Sequence, residues 1–377
     1  MKFLTITNAP TIKRGNKYSS YGPYVREMEL WFDHVEQVAI ASPTTYPEKI
    51  LLSDFNTPIK LFKLPFFSFK NIWEICKSFL LLPIIFSQIF RSFIWADHVH
   101  IRCPGNVGLL ACIVQIFFPG KPKSVKYAGN WDPKSKQPWS YNLQKWILGN
   151  SFLTRNIKVL VYGNWSNQGE NIIPFFTASY SDSEKIEINK DFSPPYRFIF
   201  AGTLSQGKRP LMAVKIIHEL LKDNFPVKLD IYGGGQEFEK MDTYITENNL
   251  TNSVILHGNR DSQILKEAYM NSHFSILPSI SEGWPKALAE GMFFGCIPLA
   301  SEVSCVSWML GGESRGLLIS KEEVIESEFT KETLKKIKDL LKDPVEMREK
   351  SLAATEWSQE YTLEKLEDGI KILLSNS

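Results

Sequence analysis

The sequence predicts an α/β protein built of two Rossmann-like, doubly wound domains facing each other across a cleft. Short apolar runs alternate with amphipathic stretches along all 377 residues, as βαβ units require. That length exceeds one average domain of about 100–200 residues, so two separate cores are expected. The stretch from Thr177 to Pro195 is rich in Ser, Asp, Glu and Lys and closes in Ser-Pro-Pro, as a domain linker does. The expected organisation is an N-terminal domain over 1–180, a C-terminal domain over 190–355, and a last helix over 356–377.

Strands in the first half are expected at Phe3–Thr7, Gln37–Ala41, Ile59–Leu64, Val99–Ile101, Ser124–Tyr127 and Val159–Tyr162. Helices fall between them at Tyr24–Phe32, Phe79–Trp95, Val107–Phe117 and Tyr141–Leu148. In the second half strands are expected at Arg197–Ala201, Lys228–Tyr232, Val254–Leu256, Phe274–Leu277, Ile297–Ala300 and Gly316–Ile319. Helices start near Pro210, Glu237, Ser262 and Pro285, and three more polar helical segments follow Lys331. In folds of this class ligands bind at the carboxyl ends of the strands.

Composition narrows the function. An apolar content of 44% with 22% charge excludes a disordered chain, and no internal repeat is visible. A net charge of +2, from 43 basic and 41 acidic residues, gives nucleic acid no global attraction, and none is expected as a partner. Five cysteines without a Cys-x-x-Cys pair read as reduced thiols, and Met1–Thr7 reads as a strand rather than a secretion signal, so a cytoplasmic location is expected. The segment Phe79–Trp95 is very apolar but is interrupted by Pro83, Ser87, Gln88 and Arg91. It suits a core helix resting one face on a membrane surface better than a spanning helix, with Lys63, Lys70 and Lys77 nearby. Six scattered histidines and the lack of an Asp-x-Asp motif give no metal-ligand spacing.

The strongest signal runs from Leu277 to Ala300. A buried strand ends at Pro278, a polar loop presents Glu282, Gly283 and Trp284, and Pro285 sits where a first-turn proline belongs. The amides around Pro285, Lys286, Ala287 and Leu288 then form an anion site suited to a diphosphate. Glu290 follows within the next turns. Upstream, Phe198–Pro210 is a strand followed by a loop with Gly202 and Thr203, ending in Lys208 and Arg209, where a cation can neutralise a departing diphosphate. Two further strand ends carry glycines: Gly234 in Tyr232-Gly-Gly-Gly, and Gly258 before Asn259 and Arg260. His257 reads as a packed strand residue.

Glu282 and Glu290, eight positions apart in this setting, resemble the Glu-x7-Glu signature of the retaining nucleotide-sugar glycosyltransferases of family 4, which have the two-domain GT-B arrangement. The resemblance implies that Glu282 contacts the donor sugar, Glu290 the ribose and Lys208 the phosphates, with base-binding backbone near Asn259 and Arg260. It implies a UDP- or GDP-linked hexose as co-substrate, a glycan or lipid-linked acceptor, no metal or other cofactor, and retention of anomeric configuration. Glu282-Gly-Trp-Pro-Lys286, Tyr21-Gly-Pro-Tyr24 and Ile101-Arg-Cys-Pro104 look like bacterial relatives that build surface polysaccharides. Two departures stand out. Thr203 occupies the position where the family carries arginine, and Asn130 and Asp132 stand where many relatives have histidine.

The N-terminal half says less. Thr11–Gly22 is a polar loop with Tyr18 and Tyr21 as acceptor candidates; Gly22 offers backbone to the donor phosphate, and an ordinary flexible loop fits equally. Arg102 meets either an anionic acceptor or a structural carboxylate. Asn130 is a further acceptor candidate. Asp132, placed with Glu282 and Lys208 in the catalytic set, also suits a turn before Pro133. The last helix either crosses back to the N-domain or stays on the C-domain. Two rival readings are a non-hydrolysing nucleotide-sugar epimerase of the same fold and a non-catalytic nucleotide-sugar-binding assembly partner.

Overall fold

The computed structural model describes residues 1–45, 52–67, 72–320 and 331–375, with the side chains of 72–77 and 79 outside that description. Lys70 and the Lys77 and Cys76 side chains therefore lie outside the described residues. The chain divides into two compact units: an N-unit of Met1–Phe175 with Glu367–Ser377, and a C-unit of Phe176–Leu366.

In the N-unit the order is β1 (Lys2–Ile6), β2 (Ile12–Arg14), β3 (Lys17–Tyr21), α1 (Gly22–Phe32), β4 (Gln37–Pro43), β5 (Leu52–Asp54), β6 (Ile59–Leu64) and α2 (Ile72–Trp95). Then come β7 (His98–Cys103), α3 (Asn106–Val114), β8 (Lys123–Tyr127), α4 (Trp139–Gly149), β9 (Ile157–Tyr162) and β10 (Ile172–Phe175). Seven strands form a parallel sheet in the order β10-β9-β8-β7-β1-β4-β6. Strand β4 is a near-continuous apolar run, as in a sheet covered on both faces, whereas β7 and β8 also bury His98, His100, Ser124 and Lys126; Leu4, Ile6, Val99, Ile101, Val125 and Val159 are buried in one cluster with Ile85, Ile89 and Phe93 of α2.

Two features of the N-unit differ from the sequence expectation. The stretch 11–22 is a hairpin of β2 and β3 that pairs with β5 in a small antiparallel sheet. Its partner strand lies some 30 residues on, so local patterning shows a polar loop. Strand β10 also escapes the sequence, being a short half-buried edge.

The C-unit runs β11 (Tyr196–Ala201), α5 (Pro210–Lys222), β12 (Val227–Tyr232), α6 (Phe238–Glu247), β13 (Val254–Gly258), α7 (Ser262–Met270), β14 (Phe274–Leu277) and α8 (Lys286–Phe293). It continues with β15 (Ile297–Ser301), α9 (Val306–Met309), β16 (Leu317–Ile319), α10 (Lys331–Leu341), α11 (Pro344–Ser358) and α12 (Leu363–Ser375). The sheet is parallel, in the order β13-β12-β11-β14-β15-β16. From β11 the chain winds one way through β12 and β13, then returns to β14 and winds the other way. The switch point of this doubly wound sheet is therefore the β11/β14 junction, where adjacent loops diverge and leave a crevice. Helix α5 buries Met212, Val214, Ile216, Ile217 and Leu220 beneath that junction, each worth about 1.5–3 kcal/mol of apolar burial.

The stretch 177–195 is no loose connector. Tyr180 and Phe192 are buried, and the Lys190 ammonium donates to the Tyr269 carbonyl at 2.9 Å and to that of Ser272. Beyond Leu366, α12 belongs to the N-unit, with Ile370 and Leu373 buried and Gly369 against the Phe175 ring.

Two histidines lie inside the N-unit sheet. His98 Nε2 and His100 Nδ1 each lie 2.9 Å from the Ser124 hydroxyl. Burial, reinforced by the Lys158 and Lys123 charges, pushes His98 down to about 4, and burial holds His100 well below the ordinary histidine range. The unfolded chain thus takes up protons that the folded chain refuses, so their contribution is intact above about pH 7 and fades as pH falls toward 4. Urea unfolding should lose about 3 kcal/mol over that interval from His98 alone. The His98→Gln, His100→Gln variant should lose much less; an equal loss in both proteins would contradict this account.

Candidate active site

The C-unit site is built on the switch point. The loop after β11 carries Gly202 to Arg209 and the loop after β14 carries Pro278 to Pro285. They are joined twice: the Ile280 amide donates to the Gly207 carbonyl at 2.8 Å, and Lys208 Nζ donates to Glu282 Oε1 at 2.5 Å. Glu282 is 7% exposed, whereas the lysine side chain is 31% exposed. Each balances the charge of the other, and the lysine keeps access to solvent.

The loops after β12 and β13 stack against the first. Gly202 donates to Tyr232, Leu204 to Gly234, and Gly233 to Gly258 at 2.8–3.0 Å. This stacking explains the glycine run. A Cβ at Gly233 (φ +148°) would sit 1.9 Å from the Gly202 carbonyl, and one at Gly235 (φ +155°) 2.4 Å from that of Leu204. Only glycine permits such approach. Asn259 packs on Gly234, while Arg260 is exposed. His257 stacks on Tyr232 and lies 2.6 Å from Asp230 Oδ1, a packed residue as expected.

Arg209 departs from ordinary geometry. It caps α5 in the left-handed conformation (φ +50°, ψ +50°), which side-chain-bearing residues seldom adopt. Its Nη1 is buried without a hydrogen-bond partner among the described residues, and burial lowers its affinity for its proton. It borders a groove of about 330 Å³ lined also by Lys215, Glu237, Lys240 and Ile280. Thr203 is exposed in the same loop.

At α8 the structure narrows the set of amides expected to meet an anion. Pro285 precedes the helix as its cap and has no N–H. The Lys286 amide donates to Trp284 and that of Leu288 to Pro285, leaving Ala287 as the amide of that group without an acceptor among the described residues. Glu290 is held from two sides, Oε1 by Ser179 at 2.6 Å and Oε2 by Tyr269 at 3.5 Å. Sequence reasoning missed both partners: Ser179 lies in a stretch that reads as linker, and Tyr269 in an unremarkable helix. The Trp284 indole packs among Trp308, Trp357 and Tyr361, so its backbone is the part left at the loop. The Gly283 carbonyl accepts a hydrogen bond from the Cys305 thiol.

The N-unit candidates resolve differently. Of the two readings of Arg102, the structure has the structural one: its guanidinium pairs with Glu27 of α1, which also takes Lys126 Nζ at 2.8 Å. Burial alone would raise the Glu27 carboxyl, but the Arg102 and Lys126 charges hold it well below the carboxylate range. Glu27 and Lys126 went unnoticed in the sequence because each lies on a different element. Asp132 makes the turn: its Oδ1 accepts the Lys134 amide, its carbonyl takes Ser135 and Lys145, and its own amide donates to Asn130 Oδ1. Tyr21 is exposed, Tyr18 is partly buried in β3, and Gly22 is buried at the start of α1. Among the described residues no group of three or more His, Cys, Asp or Glu is placed to hold a metal ion.

Removing the Lys208 charge strands a buried carboxylate. Lys208→Met should cost about 3 kcal/mol in urea unfolding, and Lys208→Arg much less. Unchanged stability in the methionine variant would show that the pair contributes nothing to the fold.

Residues 181–355 match the family of glycosyl transferases group 1. Over 104 residues, 28% of this chain, the sequence is 30% identical to the poly(glycerol-phosphate) alpha-glucosyltransferase of Bacillus subtilis (strain 168), a match spanning 15% of that protein's length. The fold is similar to that of S. aureus TarM, with a TM-score of 0.56 and 18% identity over 78% of this chain and 59% of that one. It is also similar to Anabaena HepE in complex with UDP, with a TM-score of 0.69 and 12% identity over the whole of both chains. Residues 181–355 thus match the glycosyl transferases group 1 family, and the chain has the two parallel-sheet, Rossmann-like domains found in GT-B glycosyltransferases.

Proposed function

We propose that this protein is a retaining, metal-independent glycosyltransferase that moves a hexosyl group from a UDP- or GDP-sugar to a glycan or lipid-linked acceptor in bacterial polysaccharide assembly. The observation that carries this reading is the Lys208–Glu282 pair at the C-unit switch point, with Glu290 held nearby on α8. UDP is the favoured nucleotide, because the HepE and TarM structures carry UDP. A glycerol-phosphate polymer is the acceptor class suggested by the B. subtilis relative.

In this reading the donor diphosphate competes with Glu282 for Lys208. As Nζ turns to the phosphate oxygens, Glu282 becomes free to accept a hydroxyl of the donor sugar. The guanidinium of Arg209, with one nitrogen lacking a partner, supplies the positive charge that Thr203 does not. Glu290, oriented by Ser179 and Tyr269, accepts the ribose hydroxyls. The acceptor hydroxyl attacks the anomeric carbon on the face the leaving group departs. A new C–O bond forms as the old one breaks, and the departing diphosphate takes the proton. Charge stabilisation of this kind acts most strongly where it is preorganised.

Calorimetry with UDP, GDP and their sugars, together with a transfer assay, tests the assignment. Glu290→Ala and Arg209→Asn should each weaken nucleotide affinity about tenfold or more, the loss of one hydrogen bond to a charged group. Asparagine keeps access to the left-handed backbone, so the loss reports charge rather than strain. Glu282→Ala should leave nucleotide affinity near wild type while cutting transfer. Donor binding without transfer to any acceptor would instead favour an assembly partner, and interconversion of donor sugars without acceptor an epimerase.

A further inference from the structure

Helices α2, α3 and α4 lie side by side on one face of the N-unit sheet. An outer helix of such a domain turns an apolar stripe inward and polar residues to water. These three do otherwise. Over 78–95 the only charged residue is Arg91; from Asn106 to Phe118 there is none; in α4 there is Lys145 alone. Large apolar side chains stand in solvent instead: Leu80 (80% exposed), Ile94 (63%), Phe117 (61%), Trp139 (74%), Trp146 and, just beyond α4, Phe152. Phe117 lies 6.2 Å from Phe86 and 6.4 Å from Phe90, joining the turn after α3 to α2. Exposed apolar side chains gathered on neighbouring helices mark an interaction site.

Charge identifies the partner. From His98 to Gly169 the chain has nine Lys and Arg against Asp132 alone, and Lys134, Lys136 and Arg155 among them are exposed in the loops around α4. The N-unit as a whole has 21 Lys and Arg against 12 Asp and Glu, net +9, whereas the C-unit has 22 against 29, net −7. The chain's near-neutral total conceals this separation. Cations beside exposed Trp, Phe and Leu suit a surface that is anionic at its headgroups and apolar beneath. Nucleic acid would use the charge but leave the aliphatic side chains in water.

We propose that the α2–α3–α4 face docks on an anionic phospholipid bilayer, its apolar side chains entering the boundary between headgroups and acyl chains while the flanking lysines and arginines meet lipid phosphates. The mode is interfacial, since among the described residues no helix is long and apolar enough to cross a membrane. The inference uses no residue of the C-unit site, so it stands or falls separately from the transferase reading.

Co-sedimentation of the full chain with vesicles of phosphatidylcholine alone, or of phosphatidylcholine and phosphatidylglycerol at three to one, tests it. Binding should be at least about tenfold tighter to the anionic vesicles at low salt and weaken as salt screens the charges. Two sets of substitutions at exposed positions, Leu80→Ser with Phe117→Ser and Trp146→Ser, and Lys134→Glu with Lys136→Glu and Arg155→Glu, should each reduce binding by about tenfold or more, with circular dichroism unchanged. Tryptophan emission should shift to the blue on adding anionic vesicles, less so in Trp139→Phe, Trp146→Phe. No binding to anionic vesicles, or binding indifferent to the apolar substitutions, would overturn the proposal. So would wild-type self-association on gel filtration that the apolar substitutions abolish, because a second copy would then cover the face.

Discussion

The hydrogen-bonded ion pair between Lys208 and Glu282 is the constraint on which the rest of the C-unit site depends. It joins loops that leave neighbouring strands and diverge, at the one junction where a doubly wound parallel sheet leaves a crevice. A carboxylate as buried as Glu282 is costly unless a cation faces it. Lys208 meets that cost yet remains partly open to solvent, so the same ammonium is within reach of an anion from outside. Stability and a ready cation thus come from one contact.

The backbone around the pair is fixed as firmly as the side chains. Amide-to-carbonyl bonds between the loops after β11, β12 and β13 draw them so close that side chains are excluded at Gly233 and Gly235. Arg209 takes a left-handed conformation at the head of α5, where a glycine or asparagine would be at ease. Strain of this sort persists where surrounding structure enforces it and gathers at functional sites. Here it accompanies a buried guanidinium nitrogen with no protein partner among the described residues, beside the lysine that holds Glu282.

Much of this was legible in the sequence, and the reasons for the rest are physical. Long apolar runs such as Phe198–Ala201 and Phe274–Leu277 declared a parallel sheet because both of their faces are buried. Glu282, Pro285 and Glu290 stood out as candidates because the pattern that marks them is set by neighbours in the chain. What could not be read were contacts between distant segments. Ser179 reaches Glu290 across 111 positions and Glu27 reaches Arg102 across 75. Trp284 looked like a loop residue at a site, whereas its ring meets Trp357 on α11. The β2–β3 hairpin looked like a loop because β5, its third strand, lies far along the chain. The net charge left the separation between the units out of sight in the same way, since a sum over the chain carries no information on where opposite charges gather.

The most direct test of the account is a structure of the complex with UDP. The account predicts the diphosphate at the β11/β14 junction, Lys208 Nζ within hydrogen-bond distance of a phosphate oxygen, and the Glu282 carboxylate released from the lysine. UDP bound elsewhere, or bound with the Lys208–Glu282 pair intact and no phosphate contact to either Lys208 or Arg209, would contradict it.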